Sequence, residues 1–135
     1  LANVRSLANK MDELRLRITT HKWIMDCNVM IFTETWLNSG VPDSAIELTG
    51  RYILRADRTT EDSGKTRGGG LCIYVNKAWC MDTTIIESHC SADLEYLMVR
   101  CRPFYLPREF TSTVVTAAYI PPDANAGNER TAFCH

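Results

Sequence analysis

Near the start of the chain, the spacing of apolar positions changes from a strand pattern to a helical pattern and back. The positions that recur at helical spacing are Leu7, Met11, Leu14 and Ile18. They predict an amphipathic helix that begins after an N-cap at Asn9 and runs to about His21. Residues 1–6 are typical of a strand end, and the apolar run 29–32 is typical of a strand covered on both faces. Strand, helix and strand in this order predict a βαβ unit with two parallel strands.

After residue 34 the pattern changes to short strands separated by turns. The predicted strands are residues 51–57, 68–76, 82–88, 94–102 and 111–119. The fourth of them alternates, with Leu97, Val99 and Cys101 on one face. Such strands after a βαβ start predict the α/β class, as a mixed β-sheet sandwich with flanking helices. Residues 123–135 are expected to begin another helix, and the 135 residues fit one domain.

Composition narrows the class of protein further. Apolar residues make up 45% of the chain and charged residues 23%, as in ordinary globular proteins. The net charge of −1 differs from the strongly basic balance of proteins that coat nucleic acid. Any contact with DNA must therefore come from a local patch. No apolar run approaches the ~20 residues of a membrane-spanning helix, so we expect no membrane partner.

The cysteines indicate a reduced protein. They are Cys27, Cys72, Cys80, Cys90, Cys101 and Cys134. Neither a secretory signal pattern nor a Cys-x-x-Cys pair occurs, which disfavours a disulfide framework and a structural zinc site. Cys72 and Cys101 stand in apolar strand patterns, where a thiol packs as a small hydrophobic group. We expect free thiols, with these two buried, in a protein that is not secreted.

Three polar residues stand at strand ends, where α/β proteins usually place their sites. Asn3 and Glu34 follow the two parallel strands of the βαβ unit, and Tyr119 ends the last predicted strand. A carboxylate such as Glu34 is a ligand that Mg²⁺ accepts, and Asn3 and Tyr119 can hydrogen-bond a phosphate oxygen. Each also has a plain structural interpretation: an Asn that closes a turn, an exposed Glu, and an aromatic ring over the edge of the core.

A polar loop between the strands 51–57 and 68–76 carries basic side chains. The basic side chains around this loop that could contact a DNA backbone are Arg51, Arg55, Arg58, Lys65 and Arg67. Neighbouring acidic residues dilute this patch, so an ordinary solvated loop is the alternative. The three glycines at 68–70 lack the Lys-Ser/Thr of a P-loop and precede a strand. They indicate a hinge or a close approach of backbone, and not a phosphate-binding loop.

Four segments, taken in order, carry a family resemblance: NVRSLANKMDEL (3–14), FTETWL (32–37), RGGGLCIYV (67–75) and TAAYIPP (116–122). The chain resembles the endonuclease/exonuclease/phosphatase superfamily, whose fold is DNase I-like. Within that group it is most similar to the apurinic-endonuclease-like domain of non-LTR retrotransposons of the kind found in fish. The resemblance implies a hydrolase that nicks target DNA for retrotransposon integration, in the nucleus or the cytoplasm. It also implies a reverse transcriptase domain downstream in the full element.

The resemblance assigns roles to individual residues. Asn3 matches the active-site Asn of the family, Glu34 its metal-binding Glu, and Tyr119 the Tyr that contacts phosphate. All three are therefore expected to be catalytic residues, with Glu34 as the metal ligand. The implied cofactor is Mg²⁺, with Mn²⁺ as the alternative, and the implied partner is DNA.

The chain departs from the family pattern at two places. Repair-type relatives have an Asp two residues after the first Asn, where this chain has Arg5, which favours the retrotransposon branch. The family's Gly-Asp-x-Asn motif and its final Asp-His pair do not occur in the 135 residues. We therefore expect an N-terminal part of the domain that does not itself nick DNA. The alternatives are an inactive remnant or binding module of the same fold, and a phosphatase of a phosphorylated lipid or inositol.

Overall fold

The computed structural model describes residues 1–58, 69–107 and 110–121 as a mixed α/β structure with two β-sheets and few helices. The helices are α1 (Met11–Thr20) and α2 (Lys22–Met25), with 3₁₀ turns at Ala8–Lys10 and Asp43–Ile46. The strands are β1 (Ala2–Asn3), β2 (Val29–Thr33), β3 (Arg51–Ala56), β4 (Leu71–Asn76), β5 (Cys80–Cys90), β6 (Glu95–Pro103) and β7 (Thr113–Tyr119). No helix in these ranges is both long and apolar enough to cross a membrane. The helix expected over 123–135 lies outside the described residues.

The first sheet has the strand order β1-β2-β4-β3. β1 and β2 are parallel, with Ala2 opposite Phe32 and Asn3 opposite Thr33, and α1 lies between them in sequence. This confirms the predicted βαβ unit. β4 pairs antiparallel with both β2 and β3, so the sheet is mixed, as expected. The C-terminal ends of β1 and β2 therefore lie at one edge of the sheet.

The second sheet is a separate antiparallel meander of β5, β6 and β7. The sequence pattern predicts these three strands closely but does not predict that they form their own sheet. A turn at residues 77–79 joins β4 to β5, and the two strands do not pair. The pairing of β5 with β6 has register shifts between Cys80 and Thr83 and between Ile85 and Glu87. Irregularities of this kind bend a strand.

One hydrophobic cluster is shared by the two sheets. The first sheet contributes Ile31, Leu54, Leu71, Ile73 and Val75, and the second contributes Leu97, Val99, Cys101, Val115 and Ala117. The alternation predicted for β6 is confirmed, because Leu97 is buried in this cluster while Arg100 and Arg102 are exposed. The two-residue period of a strand sends alternate side chains to opposite faces. The expected sandwich of sheets therefore has its core at this cluster.

The opposite face of the first sheet carries a second cluster. Phe32 and Tyr74 of the sheet pack there with Leu7 and with Met11 of α1. The Tyr74 hydroxyl donates a hydrogen bond to the Ile46 carbonyl at 2.7 Å, and burial raises the pKa of Tyr74 well above its usual range. β4 thus contributes side chains to both clusters, which is why its sequence is a continuous apolar run.

Helix α1 begins differently from the expectation. Its N-cap is Lys10, which makes no side-chain capping bond, and not Asn9. The chain is already helical at Leu7, with φ −63° and ψ −41°, so Asn9 lies within a 3₁₀ turn. An N-cap residue needs an extended backbone before the helix, and Asn9 does not provide one. The helix ends at Thr20 with His21 extended, which agrees with the predicted end.

The pattern of apolar residues does not predict the short helix α2, which Arg51 holds in place. The Arg51 guanidinium donates hydrogen bonds to the carbonyls of Ile24 at 3.3 Å, Met25 at 2.9 Å and Cys27 at 2.6 Å. Carbonyls at a helix C-terminus lack partners within the helix, and a cation there supplies them. Burial lowers the pKa of Arg51. This arginine therefore serves the fold.

The cysteine prediction is confirmed for three thiols and for both positions expected to be buried. Cys27, Cys72 and Cys80 are free thiols, and Cys72 and Cys101 are buried. Burial raises the pKa of Cys72 to about 12. Cys134 lies outside the described residues.

Thiol reactivity tests this arrangement. We expect titration of the urea-unfolded chain without reductant to detect all six cysteines. In the native chain at mildly alkaline pH, Cys72 should resist iodoacetamide, because alkylation needs a thiolate and burial disfavours it. Mass spectrometry of the labelled chain locates the modified residues. Native labelling of Cys72 at the unfolded rate, or fewer than six thiols, would contradict the prediction.

Candidate active site

Glu34 follows the last residue of β2, at the edge of the first sheet where the two parallel strands end. Its side chain is 16% exposed, so its carboxylate is reachable from solvent. Asn3, the last residue of β1, lies opposite Thr33 and is therefore at the same edge. Asn3 is exposed, and no hydrogen bond joins its side chain to that of Glu34. The structure thus places the two residues at one edge, as predicted, without a hydrogen bond between their side chains.

Tyr119 reaches the same place from the second sheet. It is the last residue of β7 and only 1% exposed, with its ring in the cluster shared by the sheets. Its hydroxyl donates a hydrogen bond to Oε1 of Glu34. The structural interpretation of Tyr119 is confirmed, because its ring packs in the core. Its hydroxyl binds a carboxylate, and a contact with phosphate stays a prediction.

Arg5 provides a third group at this carboxylate. Its Nε lies 3.8 Å from Oε2 of Glu34, and its side chain is 67% exposed. Sequence reasoning noted Arg5 only as a departure from the family pattern and not as a member of the site. The signal available was its position, two residues after Asn3 in the first motif. The carboxylate of Glu34 therefore lies between a phenol and a guanidinium.

The backbone around this carboxylate is strained. The non-glycine residues with positive φ in the described ranges are Arg5 (45°), Ser6 (84°), Glu34 (51°) and Trp36 (57°). The two segments that contain them are hydrogen-bonded to each other, from the Ser6 amide to the Glu34 carbonyl at 3.0 Å and from the Leu7 amide to the Thr35 carbonyl at 2.8 Å. Residues with side chains avoid this conformation unless the surroundings impose it, and such strain is concentrated at functional sites.

Gly69 and Gly70 bind the other side of the segment that carries Glu34. The Gly69 carbonyl accepts a hydrogen bond from the Trp36 amide at 2.9 Å, and the Gly70 carbonyl accepts one from the Thr35 amide at 3.3 Å. A Cβ at Gly70 would lie 2.5 Å from Oγ1 of Thr35, an oxygen that is buried and has no hydrogen-bond partner in the described part of the chain. The close backbone approach predicted for the glycine run is confirmed at these two residues.

A buried ion pair supports the glycines. Arg58 Nε lies 2.5 Å from Oε1 of Glu95, and the two side chains are 7% and 2% exposed. The other carboxylate oxygen of Glu95 accepts a hydrogen bond from the Gly70 amide at 2.9 Å. Glu95 begins β6 directly opposite Tyr119. Sequence reasoning missed Glu95, although it falls on the same face of its strand as the buried residue Leu97, which was a detectable signal.

Two of the arginines proposed to contact DNA, Arg55 and Arg58, bind other groups of the protein. Arg55 binds Asp57, Asp43 and the carbonyls of Val41 and Asn38. The hydrogen bond to Asp57 is the largest cause of the raised pKa of Arg55. Arg58 is held by Glu95, as described above. Both guanidinium groups are therefore bound within the protein, which sequence alone could not foresee because Asp43 and Glu95 lie on other segments. Lys65 and Arg67 lie outside the described residues, and their contact with DNA stays a prediction.

The donor groups at Glu34 are compatible with a magnesium site that uses few protein ligands. Mg²⁺ is typically bound by one or two carboxylates and keeps several waters. Glu34 supplies one carboxylate that solvent can reach. Within residues 1–58, 69–107 and 110–121, no group of three or more His, Cys, Asp or Glu side chains is placed to hold a metal.

Comparison with known proteins adds no family to this picture. No family model matches the chain, and no curated protein and no solved structure shows significant similarity to it. What the site can do chemically follows from its own geometry. A carboxylate at the meeting point of two sheets is held between the hydroxyl of Tyr119 and the guanidinium of Arg5.

Proposed function

We propose that the chain is part of a metal-dependent DNA endonuclease of the endonuclease/exonuclease/phosphatase type, with a DNase I-like fold, that nicks target DNA for retrotransposon integration. The observation that carries this proposal is the hydrogen bond from Tyr119 to Glu34. It joins two residues that the motifs single out and that are 85 positions apart in the chain. Strand-end residues from different sheets meet at one carboxylate, which is the kind of arrangement a metal and phosphate site needs.

The four motif segments contact one another in the fold, and this supports the proposal. The segment 32–37 is contacted by the other three. The Ser6 amide of the first motif and the Gly69 carbonyl of the third bind its backbone, and the Tyr119 hydroxyl of the fourth binds its carboxylate. Sequence motifs that pack on one another around a single acidic side chain are more consistent with a site than with scattered structural roles.

Each residue has a chemical role in this proposal. Glu34 would hold Mg²⁺, with Mn²⁺ as the alternative, and the ion would stabilise the negative charge that develops on the phosphate during cleavage. Tyr119 fixes the orientation of the Glu34 carboxylate through its hydroxyl, or donates that one hydrogen to a phosphate oxygen when substrate is bound. Asn3, exposed at the same edge, can donate to a second phosphate oxygen. DNA is the substrate, and in the complete element a reverse transcriptase domain is the partner.

Metal binding tests the role of Glu34 directly. We expect Mn²⁺, used as a paramagnetic substitute for Mg²⁺, to bind the chain weakly and to lose that binding in Glu34→Gln. Tyr119→Phe should weaken binding by about tenfold, because residues that orient a metal ligand are typically worth 10- to 100-fold in affinity. The loss of the free Mn²⁺ signal in electron paramagnetic resonance measures the bound fraction.

Glu13→Gln is the matched control, because Glu13 is also a carboxylate paired with an arginine, at 2.7 Å from Arg17, but lies on α1. Equal Mn²⁺ affinities of the wild-type chain, Glu34→Gln and Glu13→Gln would contradict the proposal.

In a plasmid-nicking assay with Mg²⁺, the 135-residue chain should nick DNA at the same rate as its Glu34→Ala variant. The Gly-Asp-x-Asn motif and the final Asp-His pair do not occur in the 135 residues, and general acid–base assistance is worth ~10²–10⁴-fold in rate. Nicking that disappears in Glu34→Ala would instead show that the chain is itself an active nuclease.

A further inference from the structure

We infer that Arg5 is a phosphate-binding residue that occupies the cation side of Glu34 until metal and DNA arrive, and that it thereby couples the binding of the two. This inference rests on the proposed function, since it takes Glu34 as the metal ligand and DNA as the substrate. The ligand chemistry recognised by Arg5 is a backbone phosphodiester of DNA. The family motifs assign no role to Arg5, and the inference rests on the position of Arg5 beside Glu34.

The backbone of Arg5 is anchored while its side chain is largely exposed. The Val4 amide donates to the Thr33 carbonyl at 3.1 Å and the Ser6 amide donates to the Glu34 carbonyl at 3.0 Å. These bonds anchor the backbone on both sides of Arg5 to the segment that carries Glu34. The backbone of Arg5 is held there at a φ of 45°, a conformation that an arginine does not adopt without support. Its side chain, at 67% exposed, extends into solvent at the rim of the site.

The contact of Arg5 with Glu34 is loose. The separation of 3.8 Å from Nε to Oε2 is an ion pair without the short distance of a charge-assisted hydrogen bond. By contrast, Arg58 holds Glu95 at 2.5 Å in a buried pair. A guanidinium has five donors in a planar fork, and a single long contact through Nε makes little use of them. Arg5 is therefore placed to exchange its partner at small cost.

A divalent cation on Glu34 changes what Arg5 can bind. The cation and the guanidinium carry charges of the same sign and compete for one carboxylate, so Arg5 opposes metal binding when no DNA is present. A phosphodiester beside the metal supplies the anion that Arg5 has lost, and guanidinium groups bind phosphate with two donors. Metal and DNA should therefore each strengthen the binding of the other, which is reciprocal by thermodynamic linkage.

The inference predicts opposite effects of one substitution on two ligands. Arg5→Ala should bind Mn²⁺ about twofold to fivefold more tightly than the wild-type chain, the range that a largely exposed ion pair is worth. With Mg²⁺ present, the same variant should bind a short fluorescein-labelled DNA duplex more weakly, and the slope of log affinity against log salt should fall by about 1. Paramagnetic resonance measures the first affinity and fluorescence anisotropy the second. Circular dichroism verifies that the variant is folded.

Arg17→Ala is the matched control, because Arg17 is an exposed arginine that is also paired with a glutamate. It should change neither affinity. An Arg5→Ala variant that binds Mn²⁺ like the wild-type chain, while Glu34→Gln does not bind it, would overturn the inference and leave the proposed function standing. Weaker binding of both ligands by Arg5→Ala would show a structural role and overturn the inference as well. If Glu34→Gln binds Mn²⁺ as well as the wild-type chain, the proposed function fails and the inference fails with it.

Discussion

Replacing Gly69 by alanine is expected to destabilise the protein by about 4 kcal/mol or more, whereas the same change at Gly50 should cost about 1–2 kcal/mol. Both glycines have a positive φ, 71° at Gly69 and 76° at Gly50, so the backbone strain of an alanine is the same. They differ in the space around them. A Cβ at Gly50 would meet nothing within 4 Å, while a Cβ at Gly69 would overlap Arg58 Nε and Glu95 Oε1.

The pair of substitutions separates strain from collision. The added methyl group at Gly69 must push apart a buried ion pair, and breaking such a pair typically costs 3–5 kcal/mol. Urea unfolding of the two variants and the wild-type chain gives the free energies. Equal losses at Gly69 and Gly50 would show that Arg58 can move aside freely, and that the pair does not hold the glycine turn against the segment 32–37.

Removing Arg58 should have a comparable effect. Arg58→Met is expected to lower the free energy of unfolding by about 3–5 kcal/mol, because it leaves the carboxylate of Glu95 buried without its countercharge. The double variant Arg58→Met/Glu95→Gln should recover a large part of that loss, since a neutral amide needs no countercharge and can still accept the Gly70 amide hydrogen. Urea unfolding of the single and double variants gives the sign of the coupling free energy between positions 58 and 95.

The exposed pair on α1 is the matched control for this cycle. Glu13 and Arg17 lie at i and i+4 with side chains more than half exposed, and such pairs are worth about 0.3–0.5 kcal/mol. Arg17→Met should therefore change stability by no more than about that amount. A double variant that is no more stable than Arg58→Met alone would show that the loss arises from packing of the arginine stem, and not from the buried charge.

The parts of the fold that sequence predicts well are those set by local periodicity. The helical spacing from Leu7 to Ile18 and the apolar run 29–32 give α1 and β2, and a βαβ unit follows from their order. The alternation along β6 gives its buried face. The separation of the strands into two sheets does not follow, because it depends on which long-range pairs form after the turn at 77–79.

The candidate site divides in the same way. Glu34 and Tyr119 are visible in sequence as polar groups at the ends of apolar strands, but their contact could not be derived from either strand alone. Arg5 was missed because its importance comes from a neighbouring segment. The charges of Arg55 and Arg58 are plain in the sequence, and only the folded chain shows that their partners are internal carboxylates. The sequence therefore predicts that each arginine binds an anionic group, but it does not predict which group.

The contact between Tyr119 and Glu34 is expected to form late in folding. It closes a loop of 85 residues, and contacts of such long range form slowly because chain entropy opposes them until local structure is in place. A chain on the ribosome that has not yet released β7 would carry Glu34 without the group that orients it. A ligand that requires Glu34 to be oriented by Tyr119 binds only when the two sheets are docked. Such a ligand therefore stabilises the docked state. Binding of a ligand at Glu34 and docking of the two sheets are then thermodynamically coupled.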